Sequence, residues 1–143
     1  MKKLLLALIL ALSTTNALAY SNADVDCMSK TIFYEANMEP LEGKVAVGYV
    51  LINRANNENK PKSICSIVKE PYQFSWYQPG KLTQKTPVDY RWLAREILDG
   101  FHSEPTEGAS YFHRTTKHRP AWTRNLQLVG IIGHHTFYRE RYA

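Results

Sequence analysis

Glu35 stands directly behind Phe33 and Tyr34, in the run Thr31-Ile-Phe-Tyr-Glu-Ala-Asn-Met-Glu-Pro40, at the end of a predicted helix. A carboxyl group beside apolar rings loses hydration in its charged form, which raises its pKa. An acid still protonated near neutral pH can give its proton to a leaving oxygen, so Glu35 is the candidate general acid. Residue type alone would instead make it an exposed helix-end carboxylate. Glu39 follows four positions later, and two carboxyl groups are the usual equipment for cleaving a glycosidic bond. On an unbroken helix the two would share a face. Pro40, however, pushes Glu39 out of the α region. A solvated acidic group ahead of a second helix is an equally good reading of Glu39.

Four histidines fall late in the chain: His113, His118, His134 and His135. They raise the alternative of a zinc-activated water, as a metal-dependent amidase would use. No His-Glu-x-x-His pattern accompanies them. His134 and His135 are adjacent and would point to opposite faces of a strand, so at most one joins a site. The default is a set of structural histidines, with no metal and no cofactor.

These residues need elements to hold them. Asn22-Ala-Asp24 predicts the cap of a helix running to about Ala36, with Val25, Met28, Ile32 and Phe33 on its apolar face. A second helix spans about Leu41–Ala55, and its apolar runs Val45–Val47 and Tyr49–Ile52 mark it as the buried central helix. Gly43 and Gly48 inside it suggest close approach of another backbone. Ser63 caps a short helix over Ile64–Lys69, and Asp89 caps one over Tyr90–Asp99 that Gly100 ends. Between them lies a long stretch, Glu70 to Val88, rich in aromatics and turn residues. A connection that long in a compact domain is more often functional than idle. Ser110–His113, Leu126–Ile132 and Thr136–Tyr138 read as short strands, the last two joined near Gly133. The fold class expected is α+β, helical over the first two-thirds with a small C-terminal antiparallel sheet.

The amino terminus reads as an export signal. Lys2 and Lys3 precede the apolar run Leu4–Leu12, and Ala17-Leu18-Ala19 supplies a small-x-small cleavage site. The apolar run is too short for a membrane-spanning helix, which needs about 20 residues, so no stable membrane anchor is expected after cleavage. Residues 20–143 then form one domain, large enough for a single core. Loss of Lys2 and Lys3 lowers the formal charge from +5 to +3. That mild basicity suits an anionic wall polymer, and no Lys/Arg stripe suggests nucleic acid. Cys27 and Cys65, an even pair in an oxidising compartment, predict a disulfide rather than a nucleophilic thiol.

Taken together, the landmarks resemble the SleB/CwlJ family of cell-wall hydrolases. They are Ile32-Phe-Tyr-Glu-Ala36, Glu39-Pro-Leu-Glu-Gly43, Val45-Ala-Val47, Leu51-Ile-Asn-Arg54, Ser63-Ile-Cys65, Tyr72-Gln-Phe-Ser-Trp76, Ala109-Ser-Tyr-Phe-His113, Pro120-Ala-Trp122, Ile132-Gly-His134 and Phe137-Tyr138. Ala36-Asn37-Met38 departs from the Ala-Arg-Gly usual in the family, losing a flexible backbone position and a bidentate donor. The resemblance implies a domain related to lysozyme-like lytic transglycosylases. Its activity would be cleavage of the β-1,4 bond between N-acetylmuramic acid and N-acetylglucosamine in peptidoglycan, with Glu35 as the catalytic acid. Glycan strands are then the expected partner, in the periplasm or cell wall. Sugar C–H faces lie well against Tyr and Trp. Phe74, Trp76, Tyr77, Tyr111, Phe112 and Trp122 are therefore the candidate platforms, with Gln73 and Ser75 as polar partners and His113 or His134 beside Glu35 or the muramic acid carboxylate.

Overall fold

The protein is described by a computed structural model covering residues 20–56, 61–78, 80 and 84–141; the predicted export signal, residues 1–19, lies outside these. Helix α1 spans Asn22–Ala36. Its cap is Ser21, one residue ahead of the predicted Asn22-Ala-Asp24: the Ser21 hydroxyl accepts from the Asp24 backbone N–H at 3.1 Å, and the Asp24 carboxylate accepts from the Ser21 N–H at 3.2 Å. This reciprocal capping box satisfies two otherwise unpaired donors. The helix buries Val25, Met28, Ile32 and Ala36 on one stripe, which carries Glu35 to the edge of the core.

Helix α2, Leu41–Asn56, is the central element. The Pro40 carbonyl accepts its first helical hydrogen bond, from Lys44 N–H at 3.1 Å. Val45, Ala46, Val47, Val50 and Leu51 are buried, and the helix packs against α1, α3, α4 and the sheet. Its internal glycines admit side chains rather than another backbone. A methyl group on Gly48 would stand 3.0 Å from Ile97 Cδ1, so the notch there receives α4. Helix α3, Ile64–Lys69, is capped by Ser63. The predicted disulfide ties it to α1, with Cys27 and Cys65 bonded at 2.00 Å.

Helix α4, Val88–Leu98, begins earlier than its predicted start. Pro87, already extended at φ −51° and ψ 143°, occupies the cap position without a side-chain bond, which leaves Asp89 inside the first turn. Negative charge is favourable there as well.

The strands are β1 (Tyr111–Arg114), β2 (Leu126–Ile132) and β3 (His135–Glu140). They form an antiparallel sheet in the order β1-β3-β2. A short 3-10 turn, Ala121–Thr123, precedes β2. The β2–β3 ladder shifts register between Leu128 and Gly130, so Val129 is an extra residue on β2. Val129 and Ile132 pack on the core, whereas Leu128 and Ile131 are exposed. The architecture is α+β, with helices first and the sheet last.

Candidate functional site

A cleft of ≈ 420 Å³ opens where α1, α2, the long loop and the sheet meet. Glu35 enters it from the last turn of α1 and Arg54 from the last turn of α2. Tyr72, Gln73, Phe74 and Ser75 come from the loop, Phe112, His113 and Arg114 from β1, and His135 from the start of β3. Glu35 is the only carboxylate among the described residues that line it. Burial pushes its carboxyl above the ordinary carboxylate range, and the nearby positive charge of Arg54 opposes part of that rise. Next to it, Tyr34 stacks on Trp76 with ring centroids 4.9 Å apart and planes 14° from parallel. The end of α1 is thereby fixed against the loop.

Arg54 organises the opposite wall. Its Nε donates to the Ser110 carbonyl at 2.6 Å and its Nη1 to Gln73 Oε1 at 3.0 Å. The guanidinium also lies 5.3 Å from the Phe74 ring centroid and 5.8 Å from that of Tyr111. One side chain thus holds α2, the loop and the approach to β1 in register. Burial lowers its pKa from the usual value, but a guanidinium remains charged regardless.

Glu39 is not the solvated group that its sequence position suggested: only 5% of its surface is exposed. Its Oε2 accepts from the His134 backbone N–H at 2.8 Å, and its Oε1 stands 3.1 Å from His134 Nδ1. His135 Nδ1 is 3.9 Å from the same Oε1. Burial alone would raise the Glu39 pKa, but the two hydrogen bonds from His134 and the neighbouring histidines outweigh it and hold the carboxyl below its ordinary value. The two histidines do not take opposite faces of a strand, because His134 belongs to the β2–β3 turn and only His135 to β3. Both therefore reach one carboxylate. His135 in turn has its pKa lowered by burial, with Glu39 pulling the other way, and its Nδ1 makes no hydrogen bond.

Of the residues singled out in the sequence, Glu35, Gln73, Phe74, Ser75, Phe112 and His113 converge on the cleft. The others stand outside its lining. Trp76 is buried against Tyr34 and Phe74, its Nε1 without a partner. Tyr111 lies under Arg54 and donates its hydroxyl to Glu140. Trp122 is 54% exposed and packs 5.8 Å from the His113 ring, making a ledge that continues the β1 wall. His134 is occupied with Glu39. Sequence reasoning did not pick out Arg54, Tyr72, Arg114 or His135 as site residues; Arg54 was visible only as the end of the Leu51-Ile-Asn-Arg54 landmark. Among the described residues no three His, Cys, Asp or Glu side chains converge as a metal-holding group.

The same fold recurs in known proteins. Two solved structures share the fold: the catalytic domain of the Bacillus cereus SleB protein, with a TM-score of 0.73 and 24% identity over 84% of this chain and 92% of that one, and the catalytic domain of the germination-specific lytic transglycosylase SleB from Bacillus anthracis, with a TM-score of 0.74 and 24% identity over 85% and 98%. In sequence, the chain is 27% identical to the spore cortex-lytic enzyme of Bacillus subtilis over 82% of its own length and 38% of that enzyme's. It is 28% identical to the cell wall hydrolase CwlJ of the same organism, over 83% of this chain and 87% of CwlJ. It therefore spans well under half of the spore cortex-lytic enzyme but most of CwlJ. A family model described as Cell Wall Hydrolase matches residues 38–138. With the fold and that match in agreement, this chain belongs to the cell wall hydrolase family.

Proposed function

We propose that this chain is an exported lytic enzyme of peptidoglycan that cleaves the β-1,4 bond between N-acetylmuramic acid and N-acetylglucosamine as a lytic transglycosylase. Glu35 protonates the glycosidic oxygen as the bond breaks. The resulting carboxylate then takes the proton of the muramic acid 6-hydroxyl, whose oxygen closes a 1,6-anhydro ring at the anomeric carbon. The observation that carries this reading is the presence of one carboxylate in the cleft lining. A two-carboxylate glycosidase needs its second group about 5–5.5 Å or 6.5–9.5 Å away across the scissile bond. Glu39, the nearest in sequence, is buried and committed to His134. Burial of Glu35, which favours its protonated form, supports the acid role. Gln73, Ser75 and His113 supply polar contacts for the acetamido and hydroxyl groups, and Tyr72, Phe112 and the Trp122 ledge supply faces for the sugar rings.

The export assignment rests on the amino-terminal pattern of residues 1–19. Among the described residues no helix is long and apolar enough to cross a membrane. The deciding experiment is mass spectrometry of muropeptides released from purified sacculi by residues 20–143, run beside Glu35→Gln. Products ending in 1,6-anhydromuramic acid, lost in the variant, are expected. Reducing-end sugars would move the reading to hydrolysis. Free stem peptides that disappear with a chelator and return with zinc would replace it by an amidase.

A further inference from the structure

The charges around the cleft are unbalanced. Against Glu35 stand two arginines, Arg54 and Arg114. Three cations elsewhere in the protein have carboxylate partners: Lys30 and Arg91 share Asp26, and Lys62 pairs with Glu70. Arg54 is only partly exposed, and among the described residues it has no carboxylate within ion-pair distance. Its partners are neutral, a backbone carbonyl and an amide oxygen, and no described group accepts from its Nη2. Arg114 is exposed at the cleft wall, and none of the hydrogen bonds or ion pairs of the described residues uses its side chain. Partial burial of a guanidinium without a counter-ion is unfavourable unless something supplies one. Glu35 is the one carboxylate among the described residues that line the cleft, so a single acidic group faces two guanidinium groups.

We propose that Arg54 and Arg114 form a carboxylate-binding subsite beside Glu35, which reads an acidic group carried by the glycan strand. A planar guanidinium fixed by Ser110, Gln73 and two flanking rings is pre-oriented for such a group, with little side-chain entropy left to lose. In a glycan strand that carboxylate has two sources: the free lactyl group of muramic acid where the stem peptide has been removed, or the acidic residue of the stem peptide where it has not. N-acetylglucosamine carries neither. The subsite would therefore tell the two sugars of the strand apart and set the register in which the chain enters the cleft. It rests on the glycan-strand reading above.

The test measures binding rather than cleavage, in the Glu35→Gln protein, by titration calorimetry. Three hexasaccharides serve as probes: an N-acetylglucosamine hexamer, a peptide-free strand alternating N-acetylglucosamine and N-acetylmuramic acid, and that strand carrying L-alanyl-D-isoglutamate stems. One or both acidic strands should bind about tenfold or more tightly than the neutral hexamer. Preference for the peptide-free strand assigns the lactyl carboxylate, and preference for the stem-bearing strand assigns the peptide. Adding Arg114→Gln should remove most of the preference, and Arg54→Lys, which keeps the charge but not the fork, should weaken it. Arg124→Gln, an exposed arginine outside the cleft, should leave it intact. Equal binding of all three sugars overturns the subsite while leaving the glycan reading in place. So does an equal loss in the Arg124 control, which would reduce the effect to net charge. Binding of none of the three sinks both.

Discussion

Glu39 and His134 lie 95 positions apart and are joined twice, by the His134 backbone N–H to Oε2 at 2.8 Å and by His134 Nδ1 to Oε1 at 3.1 Å. This clasp fixes the α1–α2 turn against the tip of the β2–β3 hairpin. It places the next residue, His135, in the cleft wall alongside Glu35. Gly133 makes the approach feasible. Its φ is +58°, and a Cβ added there would stand 1.9 Å from Glu39 Oε2.

Gly133→Ala should therefore be destabilising by about 2–4 kcal/mol, through steric overlap and a left-handed backbone together. Urea denaturation of both proteins gives the number. Glu39→Ala should be costly on its own. Because both changes strike the same clasp, the double variant should lose less than the sum of the two. Strict additivity would mean that Gly133 and Glu39 do not meet.

The two acidic residues should respond to pH in opposite senses. The Glu39 pKa is held below its unfolded value. The stability it contributes is present above the unfolded carboxylate range and lost as pH falls through the folded pKa. The Glu35 pKa is raised. Its stability contribution is complete below the unfolded carboxylate range and is lost as pH rises through the folded pKa. Thermal melts should thus find Glu39→Gln less stable than the parent at neutral pH and Glu35→Gln more stable, both differences shrinking in acid. Matching behaviour of the two variants would contradict the assignment of their environments.

Glu35→Gln should lower the rate of sacculus lysis by about 10²- to 10⁴-fold, the usual contribution of a positioned proton donor. Circular dichroism should remain unchanged. The parent enzyme should lose activity as pH rises through the elevated Glu35 pKa, since only the protonated carboxyl can serve as the acid. An activity that instead grows with pH through that range would point to Glu35 as a base from the outset.

Tyr72 is fully exposed at the cleft rim and holds φ at 62°. A non-glycine residue in that conformation carries about 1–2 kcal/mol of strain. Tyr72→Gly should therefore leave the melting temperature unchanged or raise it. The same change should increase KM for glycan strands as the ring is lost. Steady-state kinetics on soluble strands separates the two effects, and an unaltered KM would remove Tyr72 from the binding surface.

Much of the scaffold was legible because its signals are local. Ser63 ahead of Ile64, the apolar stripe of α1 and the run Val45–Val47 each declare a helix within a few residues of sequence. The place of Glu35 at a helix end beside aromatic rings was legible for the same reason, since those neighbours are adjacent in the chain. The clasp was not. Glu39 looks solvated until the hairpin tip arrives from 95 positions away. Arg54, Arg114 and His135 reach the cleft from three separate elements, and nothing near any of them in sequence says which wall it faces. The opposed-face expectation for His134 and His135 failed because His134 lies in the β2–β3 turn and only His135 belongs to β3.

The unpaired Val129 on β2 has a geometric effect on the hairpin whose tip meets Glu39. A regular strand keeps strict two-step time, so residues of one parity always look the same way. Here the inward-facing positions change from odd to even between Val129 and Ile132. Three positions beyond Val129, the chain turns at Gly133 and presents His134 to Glu39. Without Val129, Leu128 and Gly130 would be neighbours on opposite faces of a regular ladder with the same partners, and the local bend and extra twist of the bulge would be lost. A single supernumerary residue in a short strand thus bends and twists the hairpin that carries His134.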